Sequence, residues 1–247
     1  MTARERLIFA LDVATAGEAQ GWVRRLDGEV GAFKVGLELF VSQGPTLVRD
    51  LVNRGSRIFL DLKLHDIPAT MAGAARMAGG LGAFLVNVHA LAGAEGMARA
   101  AEAARKGAQA AERPEPKVLA VTVLTSHGPA DLEAVGIAGP ASEAVLRLAA
   151  LARSAGLDGV VASPLEASAI RKTWPEALIV TPGVRPAGFD LDDQSRMDTA
   201  AGALEAGADY LVVGRPIRMA PDPVAAARAL AAEMEGAGKA PKRKRRR

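Results

Sequence analysis

An acid, a base and a second acid follow one another where an apolar stretch of the chain ends. Asp61, Lys63 and Asp66 stand in the segment Leu-Asp-Leu-Lys-Leu-His-Asp that begins at residue 60. Successive side chains of a strand point to opposite faces, so Asp61 and Lys63 are expected to share one face. Charges in a buried strand are costly unless paired and hydrogen-bonded, and this cluster holds more acid than one ion pair needs. The spacing therefore indicates a site for chemistry rather than for packing.

Eight near-continuous apolar runs, typical of strands covered on both faces, alternate with alanine-rich segments of helical character. The predicted strands are Leu7–Asp12, Ala32–Gly36, Arg57–Lys63, Ala83–His89, Lys117–Thr125, Gly159–Ser163, Leu178–Gly183 and Asp209–Gly214. The predicted helices are Ala16–Leu26, Pro45–Arg54, Ala69–Gly80, Ala94–Ala111, Ala141–Ala155, Leu165–Lys172, Ser195–Ala206 and Pro223–Glu235. This alternation predicts an α/β fold, the (β/α)8 or TIM barrel. A doubly wound open sheet is the alternative, but no glycine-rich dinucleotide loop follows the first strand.

Polar residues mark most of the predicted strand ends, which is where such barrels carry their active sites. Besides the cluster on the third strand, these residues are Asp12, Lys34, Asn87, His89, Thr125, Ser126, His127, Arg185 and Arg215. A ring of polar groups around one end of an aliphatic barrel indicates a pocket. The two histidines are interpreted as hydrogen-bonded or loop residues rather than as bases.

The ends of the seventh and eighth strands suggest a phosphate site. Gly183 is followed by Arg185, and Gly214 by Arg215. The loops after strands seven and eight form the usual phosphate site of these barrels. Glycine lets backbone N–H groups approach an anion, and arginine offers a planar fork of donors. The polar segment 186–194 contains a glycine and is a candidate lid, with Gln194 reaching the phosphate when it closes.

Composition narrows the class of protein. The 247 residues are 49% hydrophobic but only 4% aromatic, so the core must be aliphatic. The chain has no cysteine, which excludes disulfides and thiolate metal sites and fits a reducing compartment. No apolar run reaches the roughly 18 residues of a membrane span, and no signal peptide is visible. We therefore expect a soluble cytoplasmic protein with no membrane contact and a single barrel domain over residues 1–238.

The C-terminal segment differs from the rest of the chain. Residues 239–247 carry seven positive charges, and without them the formal charge of +3 becomes about −4 for residues 1–238. This segment lacks apolar anchors and is predicted to be a disordered basic tail. The acidic body argues against a nucleic-acid surface. An alternative of another class is a binding or scaffold protein that uses the tail on RNA or anionic lipid, and deletion of residues 239–247 distinguishes the two.

The third-strand segment Asp61-Leu-Lys63-Leu-His-Asp66-Ile-Pro-Ala-Thr70 closely resembles the signature of the orotidine 5'-monophosphate decarboxylases. The resemblance extends over nearly the whole predicted barrel. It includes Phe9–Asp12, Phe33–Phe40, Leu85–Ala90, Val121–Ser126, Thr181–Arg185 and Val213–Ile217. The segment after about Gly236 lies outside the family pattern.

This resemblance implies decarboxylation of orotidine 5'-monophosphate to UMP in de novo pyrimidine synthesis, without metal or cofactor. It also implies a homodimer of TIM barrels with two shared active sites. Lys34, Asp61 and Lys63 of one chain and Asp66 of the other would form the charged network, with Lys63 protonating C6. The implied substrate-binding residues are Asp12 at the ribose, Thr125 at the pyrimidine, Thr70 across the interface, Lys34, and Arg185, Gln194, Gly214 and Arg215 at the phosphate.

A sister group shares the Asp-x-Lys-x-x-Asp pattern. These are the magnesium-dependent keto-gulonate-phosphate decarboxylases and hexulose-phosphate synthases, an aldolase type, whose metal is held partly by a glutamate on the second strand. This chain has Lys34 at that place. An ammonium group cannot bind Mg²⁺ as a ligand and repels it. The substitution favours the metal-free decarboxylases.

Overall fold

Eight parallel strands close into a barrel in the order in which they occur in the chain. The structure is a computed structural model and describes residues 1–183 and 199–237. The strands are β1 (Leu7–Ala10), β2 (Ala32–Val35), β3 (Ile58–Leu64), β4 (Leu85–His89), β5 (Lys117–Val121), β6 (Gly159–Val161), β7 (Leu178–Pro182) and β8 (Tyr210–Val213). β8 pairs with β1, so the sheet has no free edge. The predicted (β/α)8 barrel is confirmed, and the open sheet is excluded.

Helices follow the strands and surround the barrel. They are α1 (Ala16–Arg25), α2 (Leu37–Asn53), α3 (Pro68–Gly80), α4 (Gly93–Ala110), α5 (Pro129–Ala134), α6 (Ala141–Ser154), α7 (Pro164–Thr173), α8 (Ala200–Glu205), α9 (Arg215–Arg218) and α10 (Pro223–Ala237). Single turns of 3₁₀ helix lie at Arg4–Arg6 and Ala90–Ala92. None of the helices in the described ranges is long and apolar enough to span a membrane. The predicted tail at 239–247 lies outside the described residues.

Three helices differ from the sequence prediction. The helix predicted at Pro45–Arg54 is only the second half of α2, which is kinked at Gly44, where φ is 68°. A proline after a glycine is typical of a helix start, so the helix was predicted to begin at Pro45 and its preceding turns were missed. The short helices α5 and α9 were not predicted, because six and four residues show no periodicity. Of the helix predicted at Ser195–Ala206, residues 195–198 lie outside the described residues.

The barrel interior is filled by alternate residues from every strand. Ile8, Ala10, Ala32, Phe59, Leu85, Leu119, Val121, Val161, Val180, Tyr210 and Val212 form one buried apolar cluster. A second layer of aliphatic side chains packs between the barrel and its helices. Because side chains alternate along a strand, the residue two positions beyond each interior residue also points inwards. That rule places Asp12 after Ala10, Lys34 after Ala32, Asp61 after Phe59 and Asn87 after Leu85, all at the carboxyl end of the barrel.

The amino end of the barrel is held together by arginine–aspartate contacts. Asp158, just before β6, accepts hydrogen bonds from Val118 N at 2.9 Å and from Arg105 Nη2 at 3.0 Å. Asp209, just before β8, accepts from Ile179 N and from Arg171 Nη2, both at 2.8 Å. Each of these aspartates therefore ties one strand of the barrel to the next.

The glycine-containing turns before Asp158 and Asp209 have a sequence typical of helix C-caps that lead into the next strand. Gly156 and Gly207 have φ of 74° and 108°, the positive values that such a cap requires. Each glycine carbonyl also accepts a hydrogen bond from the neighbouring arginine, Gly156 O from Arg105 at 3.2 Å and Gly207 O from Arg171 at 2.8 Å. The two turns therefore repeat one arrangement at two places on the amino end.

Candidate active site

A cavity of about 590 Å³ opens at the carboxyl end of the barrel. Its walls come from the ends of several strands, as the fold requires. The residues with a role implied by the family resemblance that line it are Asp12, Lys34, Asp61, Lys63, Thr125, Gly214 and Arg215, and Ser126 and Gly183 from the predicted strand ends line it as well. The structure therefore brings together nine of the residues named from the sequence, although they are spread over two hundred positions of the chain.

Four charged side chains form a chain of ion pairs on one wall of this cavity; we call Asp12, Lys34, Asp61 and Lys63 the charged cluster. Lys63 Nζ lies 2.7 Å from Asp61 Oδ1. Lys34 Nζ lies 3.5 Å from Asp61 Oδ2 and 3.1 Å from Asp12 Oδ1. Asp61 is therefore shared between two ammonium groups, one on each carboxylate oxygen.

Asp61 is the buried member of the charged cluster, with 8% of its surface exposed. Burial alone would raise its pKa, but the charges of Lys34 and Lys63 and hydrogen bonds from Lys63 and Asn87 outweigh burial and lower the pKa. Asp61 is therefore a carboxylate at neutral pH. The arrangement places a fixed negative charge between two fixed positive charges at the cavity wall.

Strand β3 is irregular where it carries the charged residues. Its pairing with β4 passes from Leu60↔Val86 to Leu64↔Val88, so residues 61–63 lie opposite Asn87 alone. Lys63 has φ of 50°, a left-handed conformation that costs a residue other than glycine about 1–2 kcal/mol. Asp61 and Lys63 do meet, as predicted, but they meet through a bulge and not through the regular alternation on which the prediction was based.

Asn87 is a site residue to which the sequence reading gave no role. It is fully buried, and its Nδ2 donates to Asp61 Oδ1 at 2.6 Å. Its Oδ1 accepts from the backbone N–H of Lys63 at 2.8 Å. Asn87 was named among the polar strand-end residues, and the signal that points to a role in the site is an amide inside an apolar run, two positions beyond the interior residue Leu85.

Two predicted site residues lie outside the cavity of this chain. Asp66 and Thr70 are exposed, and neither is among the described residues that line the cavity. Asp66 Oδ1 accepts a hydrogen bond from Ile67 N at 2.6 Å, just before α3. Their predicted action across a dimer interface stays a prediction.

The predicted phosphate side of the cavity is formed by Gly183, Gly214 and Arg215. Space is tight at Gly214, where a Cβ would lie 3.3 Å from Asp12 Oδ2. Arg218 also lines the cavity and donates to the carbonyl of Asp12 at 3.0 Å, a contact that the sequence did not predict. Arg185, Gln194 and the lid predicted at 186–194 lie outside the described residues.

The histidines of the carboxyl end do not line the cavity among the residues described. The rings of His65 and His89 stack with their centroids 5.4 Å apart. Burial, followed by the charges of His65, His127 and Lys63, lowers the pKa of His89 to about 4. The neutral ring accepts a hydrogen bond from Leu91 N at 3.3 Å. These contacts agree with the interpretation of His89 as a hydrogen-bonded residue rather than a base.

Lys34 decides what the acidic groups of the cavity can bind. Its ammonium group lies between the carboxylates of Asp12 and Asp61. Within residues 1–183 and 199–237, no group of three or more His, Cys, Asp or Glu side chains is arranged to hold a metal ion. The cation that faces both carboxylates here is supplied by the chain itself.

Comparison with known proteins gives one consistent family. A model of the orotidine 5'-phosphate decarboxylase / HUMPS family matches residues 5–230. The orotidine 5'-phosphate decarboxylase of Moorella thermoacetica is 55% identical over 237 residues, which cover 95% of this chain and 94% of the relative. That of Halorhodospira halophila is 54% identical over 234 residues, covering 94% and 97%. A crystal structure of the Lactobacillus acidophilus enzyme of that name superimposes with a TM-score of 0.80 at 37% identity, covering 92% of this chain and 98% of that one.

Proposed function

Because this chain belongs to the orotidine 5'-phosphate decarboxylase / HUMPS family, we propose that it converts orotidine 5'-monophosphate to UMP and carbon dioxide in pyrimidine synthesis. The observation that carries the proposal is the charged cluster, in which Lys34 and Lys63 flank the buried Asp61 at the wall of the cavity. The cavity volume of about 590 Å³ suits a ligand of nucleotide size.

The charged cluster can stabilise the negative charge that develops in this reaction. Loss of carbon dioxide from C6 of the pyrimidine leaves a carbanion with no adjacent carbonyl group to absorb the charge. The enzyme must then stabilise the transition state through preorganised charge. In our proposal the ammonium group of Lys63 attracts the developing negative charge and then donates its proton to C6. Asp61 lies near the departing carboxylate and repels it in the ground state.

Lys34 favours a metal-free reaction over the magnesium-dependent reactions of other family members. A magnesium site needs oxygen ligands, and at this position the chain supplies an ammonium group 3.5 Å from Asp61 Oδ2. That group already balances the buried carboxylate that a metal would use. We therefore propose a reaction without metal or organic cofactor, in which the two lysines supply the positive charge.

The remaining groups of the cavity would hold the nucleotide away from the reacting carbon. Arg215 and the backbone around Gly214 would hold the phosphate, since both line the cavity at the end of β8. Binding energy from this remote group can be used to orient the reacting part, so it appears in the rate. The other proposed contacts are Asp12 and Lys34 with the ribose, Thr125 with the pyrimidine, and Arg185 and Gln194 with the phosphate.

We further propose a cytoplasmic homodimer whose two sites are shared between the subunits. Asp66 and Thr70 are exposed and outside the cavity of their own chain, so they are available to a neighbouring one. Two large apolar side chains of the same stretch are also exposed, Ile67 next to Asp66 by 66% and Met77 further along α3 by 68%. In the proposed dimer a two-fold axis relates the chains, and each Asp66 contributes to the other chain's charged cluster.

Product analysis tests the proposed reaction. The purified protein is incubated with orotidine 5'-monophosphate, and separately with 3-keto-gulonate 6-phosphate, and the products are identified by NMR. We expect UMP from the first substrate and no reaction with the second. Conversion of the keto-sugar phosphate alone would assign the chain to the other branch of its family.

Mixing two inactive variants tests the shared site. We expect Lys63→Ala and Asp66→Ala to be inactive alone, because each removes a group from both sites of the dimer. In a mixed dimer one site carries both lesions and the other carries none, so random reassortment restores about a quarter of the wild-type sites. If the mixture stays as inactive as its components while the subunits exchange, Asp66 acts within its own chain or not at all.

A further inference from the structure

We propose that Asn87 is a positioning residue for decarboxylation, because one side-chain amide fixes both the backbone of Lys63 and the carboxylate of Asp61. The inference rests on the proposed function and adds a residue to its machinery. Asn87 belongs to β4, whereas the two groups that it holds belong to β3. It therefore acts through Asp61 and Lys63 and is not assigned a contact with the substrate.

The contacts of Asn87 define the orientation of its amide group. A backbone N–H can only donate, so the atom that faces Lys63 N at 2.8 Å must be the side-chain oxygen. The side-chain nitrogen then faces Asp61 Oδ1, at 2.6 Å. No part of the side chain is exposed to solvent. Both polar atoms of Asn87 are thus committed to the charged cluster.

The bulge in β3 explains why a side chain is needed here. Residues 61–63 of β3 lie opposite the single residue Asn87, so the regular ladder between β3 and β4 is interrupted. The N–H of Lys63 is bonded to the Asn87 side chain, and Lys63 keeps a left-handed φ of 50°. Strained backbone persists where its surroundings hold it in place. Asn87 is the group that holds this backbone.

The same amide sets the direction of the Asp61 carboxylate. Asp61 Oδ1 accepts hydrogen bonds from Asn87 Nδ2 and, at 2.7 Å, from Lys63 Nζ. The other carboxylate oxygen, Oδ2, then faces Lys34. Rotation of the carboxylate would change its distance to both lysines. Displacement of a catalytic group by about 1 Å can lower the reaction rate by about two powers of ten. The position of this carboxylate therefore affects kcat.

The substitution Asn87→Asp separates positioning from a general structural role. A protonated carboxyl group can donate to Asp61 and accept from Lys63 N, as the amide does. An ionised carboxylate can only accept, and it faces the negative charge of Asp61, with Lys63 and Lys34 as the neighbouring cations. Activity of this variant should therefore rise towards the wild-type value as pH falls and the new carboxyl group takes up its proton.

The experiment measures kcat and KM for orotidine 5'-monophosphate, UMP affinity and Tm from about pH 5 to about pH 8. We expect Asn87→Leu to lower kcat about a hundredfold with UMP affinity unchanged. We expect Asn87→Asp to lose kcat at neutral pH and regain it in acid, a trend that the wild type lacks. The matched control is Thr122→Val, because Thr122 is equally buried and donates one hydrogen bond to Val161 O at 3.1 Å. It should keep kcat.

The inference is overturned if Asn87→Asp follows the wild-type pH profile, or if Asn87→Leu changes kcat no more than Thr122→Val does. If Asn87→Leu does not fold, the pH profile of Asn87→Asp decides alone. Wild-type protein that folds but leaves orotidine 5'-monophosphate unchanged refutes the proposed function, and this inference with it. A wild type that is active, with variants that behave like the control, refutes only the role of Asn87.

Discussion

The two ends of the barrel each contain a lysine–aspartate pair, and the pairs are built differently. At the carboxyl end Lys63 Nζ lies 2.7 Å from Asp61, and at the amino end Lys117 Nζ lies 2.9 Å from Asp158. Asp158 also accepts a backbone N–H from Val118. Asp61 instead accepts only from side chains among the described residues, those of Lys63 and Asn87, with Lys34 nearby.

The two carboxylates keep a low pKa for different reasons. Burial raises the pKa in both cases. For Asp158 the bond from Val118 N is the largest opposing effect, followed by bonds from Lys117 and Arg105. For Asp61 the charges of Lys34 and Lys63 come first. Asp158 at the amino end thus stabilises the pairing of neighbouring strands, whereas Asp61 at the carboxyl end balances two ammonium groups at the cavity. We infer that one pair stabilises the fold and the other performs chemistry.

The largest expected difference is between the two lysines. Lys63→Ala should lower kcat for orotidine 5'-monophosphate by about four powers of ten, since it removes both the proposed acid and a stabilising charge. Lys117→Ala removes a partner of Asp158 that is 57% exposed and should leave kcat unchanged. Steady-state kinetics, with UMP affinity as a check on folding, measures both. Equal losses in the two variants would remove the functional distinction between the ends.

The phosphate side of the carboxyl end should show the next largest effect. Arg215→Ala should lower kcat/KM about a hundredfold for the nucleotide, because the proposed charge-assisted contact with the phosphate would be lost. Orotidine, which has no phosphate, is the control substrate, and its slow turnover should be the same in variant and wild type. A similar loss with both substrates would show that Arg215 acts elsewhere than at the phosphate.

Substitution of Asp158 at the amino end should lower the stability of the fold. Asp158→Asn should lower the free energy of unfolding by about 2 kcal/mol, because it weakens bonds to Val118 N, Arg105 and Lys117. Thermal unfolding should show a fall in Tm of about 4–8 °C. The kcat of the folded enzyme should not change. A loss of kcat at a temperature where the variant is fully folded would contradict the assignment of this end to stability.

The smallest expected effect concerns His89 beside the charged cluster. Its pKa is about 4 in the folded protein and about 6.5 as a free side chain. Between these values the unfolded chain binds more protons, so stability is complete above about pH 6.5 and falls as pH is lowered towards 4. His89→Gln should reduce the fall in Tm between neutral and acidic pH. If the variant and the wild type lose Tm in parallel, His89 does not contribute to the acid sensitivity.

The barrel and most residues of its carboxyl end were accessible from the sequence, whereas the ion pairs of the amino end were not predicted. The eight apolar runs predict the strands, and the rule of alternate side chains places Asp12, Lys34 and Asp61 at one end of the barrel. The glycines before β6 and β8 predict the helix caps. Each of these predictions rests on a pattern within a few neighbouring residues, so it does not depend on contacts between distant parts of the chain.

The bulge in β3 and the partners of the Asn87 side chain could not be predicted, although the amide in an apolar run marks Asn87 itself. Both depend on the register between β3 and β4, which a pattern within one strand does not contain. The kink at Gly44 was hidden for a related reason, because the Gly-Pro pair is typical of a helix start as well as of a bend. The proposed action of Asp66 involves a second chain, so neither the pattern nor one subunit determines where its carboxylate lies.

The most direct test of the central claim is the turnover of orotidine 5'-monophosphate by protein dialysed exhaustively against EDTA. The ultraviolet absorbance of the substrate is followed before and after addition of Mg²⁺. In the proposed mechanism Lys34 and Lys63 supply the positive charge, so we predict the same rate in both conditions. Activity that vanishes on chelation and returns with Mg²⁺ would contradict the account, and so would a well-folded protein that leaves the substrate unchanged in either condition.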